Sequence, residues 1–165
     1  MAEVMIDAML ATPILGHLPS ISFYDVSSKV SDHVERAYPA AYRANDLAEC
    51  VKEANVVVLC TKAQNCDTVF ADLKPLLGDE DPVLLSIIAG VTINAYVSGI
   101  GRTKVVRSMP NTPGQIRQGM TVWTKNTAAD FSEEEIFLCK ASLQVRLCCS
   151  LTLTLTPLYN RVDVG

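Results

Sequence analysis

Three uninterrupted aliphatic runs limit what this chain can fold into: NVVVLCTK (55–62), DPVLLSIIAG (81–90) and TKVVRSMP (103–110). A strand with one wet face alternates apolar and polar residues. A bare Val/Ile/Leu run is a strand covered on both faces, the condition of a parallel sheet flanked by helices. The segments between the runs have helical periodicity. NCDTVFADLKPLL (65–77) places Val69, Leu73 and Leu76 inward, with Pro75 in its last turn. TINAYVSGI (92–100) reads as a short helix ended by Gly99.

The same alternation extends in both directions. ISFYDVSS gives a strand at 21–25 that ends in Asp25. NDLAECVKEA (45–54) is a helix on which Leu47, Val51 and Ala54 share a face; Asp46 caps it and Glu49, three residues on, completes a capping box. GMTVWTK (119–125) alternates and suits a sheet edge, and FSEEEIFLCKASL (131–143) is a helix capped at Ser132. Strand–helix alternation repeated four times predicts a mostly parallel α/β sheet with right-handed crossovers.

Ligands of such sheets lie beyond the carboxyl ends of the strands. Those ends are Asp25, Thr61 with Lys62, Ala89 with Gly90, and the loop Met109–Pro110–Asn111–Thr112–Pro113. Each proline fixes its own φ and keeps the residue before it extended, so Asn111 is held in place before any ligand arrives. Two regions fit the alternation less well. Residues 1–12 read as a helix with Val4, Ala8 and Leu10 apolar and no strand before it, and 144–165 carries a Thr/Leu alternation that suits a strand or a low-complexity tail.

Composition excludes several classes. At 165 residues the chain has room for one domain with a real core. Its net charge of −4 and pI near 5.1 argue against nucleic acid as a partner. No apolar run reaches the roughly 18–20 residues of a membrane span, and the start lacks a secretory pattern. The six cysteines form no CxxC pair and have no histidine at metal-ligand spacing. They read as reduced, buried thiols of a cytoplasmic protein without a metal. His17 and His33 read as surface residues, without partners at useful spacing.

RSMPNTP (107–113) after a buried strand, SIIAGVT (86–92) before it, and VVLCTKAQ (57–64) before that resemble the amino-terminal domain of pyrroline-5-carboxylate reductase. Each stretch alone is weak; their order, spacing and strand-end placement together are specific. The resemblance covers roughly 1–138, and 139–165 diverges from it. It implies a doubly wound, Rossmann-like domain that uses NADP or NAD to reduce 1-pyrroline-5-carboxylate, a cyclic imino acid, to L-proline. Met1 would stand at the methionine of the family's G-x-G-x-M turn. The first strand and phosphate-binding glycines would then precede it, and the helical second domain, which dimerises and completes the substrate pocket, would follow. The expected domain is therefore truncated and incomplete at its first strand. Its catalytic residues lie elsewhere, its oligomeric state is open, and an inactive dinucleotide-fold remnant that binds a partner is the alternative. A dehydrogenase acting on a 3-hydroxy acid or a prephenate-like substrate is a third reading, disfavoured by the MPNTP spacing.

The resemblance also implies a cofactor edge. Asp25 would accept from the adenosine ribose 2′-OH and repel a 2′-phosphate, or be a solvated turn residue; Ser27, Ser28 and Lys29 leave NADP open. Asn45 would touch the adenosine side, or serve only the helix entry. Cys60, Thr61, Lys62 and Ala63 would run backbone past the cofactor, with Ala63 where the family has proline and Lys62 a donor or a plain surface lysine. Ile87, Ile88, Ala89 and Gly90 would face the nicotinamide, small residues allowing close approach. Met109, Pro110 and Asn111 would form the adjoining wall, unless that loop is only a structural turn. Arg107 could pair with a carboxylate that the sequence does not identify.

Overall fold

A computed structural model describes residues 2–11, 20–77, 82–110 and 121–143. In chain order its elements are α1 (Ala2–Ala11), β1 (Ser22–Phe23), α2 (Ser28–Ala37), β2 (Tyr42–Arg43), α3 (Leu47–Val51) and β3 (Val56–Leu59). There follow α4 (Cys66–Leu73), β4 (Val83–Ser86), α5 (Ile93–Ile100), β5 (Val105–Pro110), β6 (Thr121–Lys125) and α6 (Glu133–Leu143). The expected residues Asn111, Thr112 and Pro113, His17, and the 144–165 tail lie outside the described residues.

The three aliphatic runs form the sheet as expected. The order is β3-β4-β5-β6, with β3, β4 and β5 parallel and β6 antiparallel on the edge. Register aligns Leu59, Ser86 and Arg107 in one row across the three parallel strands. Each face of the sheet is covered. Val57, Leu59, Leu84 and Val105 pack against Phe70 and Leu73 of α4 and Tyr96 and Ile100 of α5. On the other face Val83, Leu85 and Val106 meet Met5 of α1 and Cys139 and Leu143 of α6. Burial on both faces is why these strands tolerate no polar alternation. The helix α6 passes through positions 138 and 139 without a break.

β1 pairs with β2 in parallel, as a separate two-stranded sheet, and no described strand joins it to the other four. β2 was not expected: Tyr42 and Arg43 carry no apolar run, and the strand is made by pairing with β1. A third cluster, Ile6, Val34 and Ala41, packs α1 and α2 near this small sheet.

Several expectations are corrected in detail. The helix at 92–100 ends beyond Gly99: α5 runs to Ile100, and Gly101 at φ 80° is the left-handed cap, its N–H bonding the Val97 carbonyl. Leu76 points outward at 37% exposure while Leu77 is buried at 3%. The cause is a 3₁₀ turn over Lys74–Leu76 containing Pro75, which rotates the helix face by a residue. α3 stops at Val51, short of Ala54, because Lys52 is extended and Glu53 takes φ 57°. Asp46 caps it as expected, Oδ1 accepting from Glu49 N–H at 2.8 Å. Glu49, however, reaches one residue further back than a capping box requires and accepts from Asn45 N–H at 2.7 Å. His33 is exposed but not isolated, lying 3.1 Å from Glu3. Of the cysteines, Cys66 and Cys139 are buried, Cys50 is half-buried and Cys60 is exposed. No helix of the described residues is long and apolar enough to cross a membrane.

Candidate functional site

Parallel strands put their carboxyl ends on one edge, so β3, β4 and β5 bring three of the expected segments side by side. Beyond Leu59 lie Cys60, Thr61, Lys62 and Ala63; beyond Ser86 lie Ile87, Ile88, Ala89 and Gly90; Met109 and Pro110 end β5. Cys60, Lys62, Ala63, Ala89, Gly90 and Met109 are exposed there, whereas Ile88 turns into the core at 4% exposure. Ile87 N–H still donates to the Leu59 carbonyl at 3.1 Å, so the ladder continues one residue past the strand.

Gly90 begins the return from this edge to α5. Its φ of 79° is the left-handed region that glycine adopts without strain, and nothing lies within 4 Å of where a Cβ would stand. The turn presents bare backbone to open space. The next helix is capped by Thr92, whose Oγ1 accepts from Ala95 N–H at 3.2 Å.

Asp25 and Asn45 stand on the smaller sheet, after β1 and β2. Asp25 is exposed; its Oδ1 accepts from Ser27 N–H at 2.8 Å, turning the chain into α2. Ser27 supplies no side-chain cap to that helix. The Asn45 amide nitrogen donates to Glu49 at 2.8 Å, and the Tyr42 hydroxyl donates to the same carboxylate at 2.6 Å. The Tyr42 hydroxyl, and then the Asn45 donors, hold the Glu49 carboxyl below its ordinary range.

Behind the sheet edge is a polar network that the aliphatic pattern concealed. The Ser86 hydroxyl, on the last residue of β4, is hydrogen-bonded to the Tyr96 hydroxyl of α5 and accepts from Ile88 N–H at 3.1 Å. Ser108 of β5 donates to the Ser86 carbonyl at 3.3 Å. Burial pushes the Tyr96 phenol up, against a smaller opposing effect of Ser86. The only trace of this in the sequence is a serine inside VLLSII and a tyrosine on an otherwise apolar helix face. Beside Ser86 in register, Arg107 meets no carboxylate among the described residues; its Nε is buried without a partner. Among the described residues no three His, Cys, Asp or Glu side chains gather as a metal site would need.

No family model matches the chain. Among curated proteins it is 32% identical over 95 residues to pyrroline-5-carboxylate reductase of Synechocystis, which is 58% of this chain and 34% of that protein. It is 42% identical over 73 residues to the Pseudomonas aeruginosa enzyme of the same name, 44% of this chain and 26% of that one. The matches thus span about a third or less of these relatives' length. Among solved structures, pyrroline-5-carboxylate reductase from Coxiella burnetii superposes with a TM-score of 0.79 at 24% identity, covering 94% of this chain and 55% of that one. Pyrroline carboxylate reductase of Plasmodium falciparum with NADP bound gives 0.64 at 16% identity, covering 94% and 53%. Over roughly half its length the chain is similar in sequence to pyrroline-5-carboxylate reductases, and it has the Rossmann-like α/β fold of their dinucleotide-binding part.

Proposed function

We propose that this chain is the nicotinamide-dinucleotide-binding part of a reductase that converts 1-pyrroline-5-carboxylate to L-proline. The observation that carries the reading is the shared carboxyl edge of β3, β4 and β5, where small exposed residues end adjacent parallel strands. The geometry suits a flat, extended ligand. At Gly90 the open space where a side chain would stand lets a ring approach backbone.

On this reading, Ile87, Ile88, Ala89 and Gly90 support the nicotinamide, and Met109 and Pro110 form the wall beside it. Cys60, Thr61, Lys62 and Ala63 line the path towards the ribose. Asp25 has one carboxylate oxygen engaged by Ser27, which leaves the other for a ribose hydroxyl. Asn45, its amide nitrogen held by Glu49, offers its side-chain oxygen to the adenosine end. When bound, the reduced cofactor supplies the hydride that adds to the imine carbon, while the imine nitrogen takes a proton. The chain's own part is orientation: a ring held flat against fixed backbone reacts by proximity. Asp25 favours NAD, since its charge opposes a 2′-phosphate, while Ser27, Ser28 and Lys29 give NADP a second means of anchorage.

A second reading rests on coverage. The chain matches only 26–34% of its curated relatives' length, and on this reading it is an inactive dinucleotide-fold remnant that serves as a binding or interaction module for a partner. Titrating NADH and NADPH by fluorescence, then adding 1-pyrroline-5-carboxylate, separates the two. Micromolar binding with substrate-dependent oxidation supports the reductase; binding without oxidation supports the module. Absence of binding to either cofactor refutes the reductase and leaves the remnant that binds a partner.

A further inference from the structure

We infer that Ser86 and Tyr96 are positioning residues of the sheet edge, acting through the Ile88 amide to fix the turn Ile87–Gly90 against which the nicotinamide is proposed to lie. The inference rests on the cofactor reading above for its ligand, but the turn itself is defined by this chain alone.

A hydroxyl in the middle of a covered sheet has to be explained. Ser86 is 1% exposed and Tyr96 0% exposed, and burying an unpaired hydroxyl costs about 1–3 kcal/mol. Alanine or valine at 86 would meet the packing need without that liability. The Ser86 hydroxyl is instead used on two sides. Tyr96, from α5, fixes its orientation. The same oxygen accepts from Ile88 N–H at 3.1 Å. Along β4 the amides alternate, Ile87 N–H bonding the Leu59 carbonyl on the β3 side and Leu84 N–H the Lys104 carbonyl on the β5 side. The Ile88 amide falls on the β5 side, and its acceptor among the described residues is this side chain. The serine thus continues, with its side chain, an alignment that the backbone can no longer supply.

The rest of the turn is anchored in step with it. The Ser86 carbonyl accepts from Ser108, which ties β5 to the same point. At the far end Thr92 caps α5, the helix that carries Tyr96. Between these two hydroxyl anchors lie Ala89 and Gly90, both exposed, with open space at the Gly90 Cβ position. Tyr96 is too deeply buried to touch a ligand. Its influence reaches the edge only through Ser86 and Ile88, which makes both hydroxyls positioning groups and not catalytic ones.

The test compares Ser86→Ala, Ser86→Thr and Tyr96→Phe by NADH titration, by amide exchange at Ile88, and by urea unfolding. Ser86→Ala is expected to weaken NADH about tenfold, the size of one lost hydrogen bond, and to speed exchange at Ile88. Ser86→Thr, which keeps the hydroxyl, restores both. Tyr96→Phe moves both in the same direction by less, and it serves if Ser86→Ala does not fold. Wild-type affinity in Ser86→Ala and Tyr96→Phe would overturn the inference. So would weaker binding with Ile88 protection unchanged, or weakening that only tracks the unfolded fraction. If the unaltered chain binds neither NADH nor NADPH, the cofactor reading fails by itself. The positioning role then stands if Ile88 protection drops in Ser86→Ala and falls if it does not.

Discussion

A Cβ added to Gly99 would sit 2.5 Å from Cδ2 of Phe70 and 3.2 Å from its Cγ. Phe70 is itself buried at 5% exposure and stacked obliquely on Tyr96 with ring centroids 5.0 Å apart, so it has little freedom to withdraw. The glycine inside α5 is therefore what lets α4 and α5 pack this closely. Replacing a helix-interior glycine by alanine normally gains about 1 kcal/mol. Overpacking a full core costs about 1–3 kcal/mol, so the clash should win. Gly99→Ala is expected to lower unfolding stability by about 1 kcal/mol; a urea midpoint at or above wild type would show that the ring moves freely.

Glu135 anchors the start of α6 in two ways. Its carboxylate accepts from Lys104 at 2.7 Å and from Ser132 N–H at 2.7 Å, while Ser132 accepts from Glu135 N–H at 3.1 Å. This capping box fixes the helix that brings Cys139 and Leu143 to the sheet. The Lys104 contact, then the Ser132 bonds, hold the Glu135 carboxyl below its ordinary value of 4.5. A carboxyl lowered by folding stabilises the native state above the unfolded value, and that contribution disappears as pH falls through the lower, folded one. Glu135→Gln should therefore cost stability at pH 7 and flatten the loss of stability below about pH 4.5. Wild-type and variant urea midpoints that stay parallel from pH 7 to pH 3 would contradict the assignment.

The continuous aliphatic runs made β3, β4 and β5 legible, because a strand covered on both faces needs nothing else to declare it. Their shared direction alone puts Cys60, Ala89, Gly90 and Met109 on one edge. What could not be read depends on contacts between distant residues. Tyr42 and Arg43 become a strand only by pairing with Ser22 and Phe23. Gly99 has the position of a helix stop, and its packing against Phe70 is visible only once α4 and α5 are in place. The capping box at Asp46 predicted the right residues, yet Glu49 took Asn45 as its partner. Ser86 and Tyr96 leave no pattern in the sequence, since isolated hydroxyls within apolar segments have no period.

Arg107 gives a prediction of opposite sign to most core substitutions. Its Nε is buried without an acceptor among the described residues, and a buried unsatisfied donor costs about 1–3 kcal/mol. Methionine keeps the length and flexibility of the stem without the charge. Arg107→Met is expected to raise unfolding stability by about 1 kcal/mol. A lower urea midpoint would mean that the guanidinium has an acceptor that outweighs its burial.

Cys60 and Cys139 should differ sharply towards an alkylating reagent. Cys139 is 1% exposed and desolvation pushes its thiol up to about 12. Cys60 follows the last residue of β3 and is exposed, although its surroundings still desolvate the sulfur enough to push it up to about 11. The two properties act on different steps: exposure decides whether iodoacetamide reaches the sulfur, and the thiolate fraction decides how fast it reacts. Site-resolved mass spectrometry of the native chain should find Cys60 modified well before Cys139, at a rate that rises about tenfold per pH unit below the thiol pKa. Cys139 should react only as the chain unfolds, with the midpoint of the urea transition. If the carboxyl edge is the cofactor site, saturating NADH should also protect Cys60, which lies beside the proposed ribose path, and leave the unfolding-limited labelling of Cys139 slower only to the extent that binding stabilises the fold. Equal labelling of Cys60 with and without NADH, under conditions where NADH is bound, would place the ligand away from the end of β3.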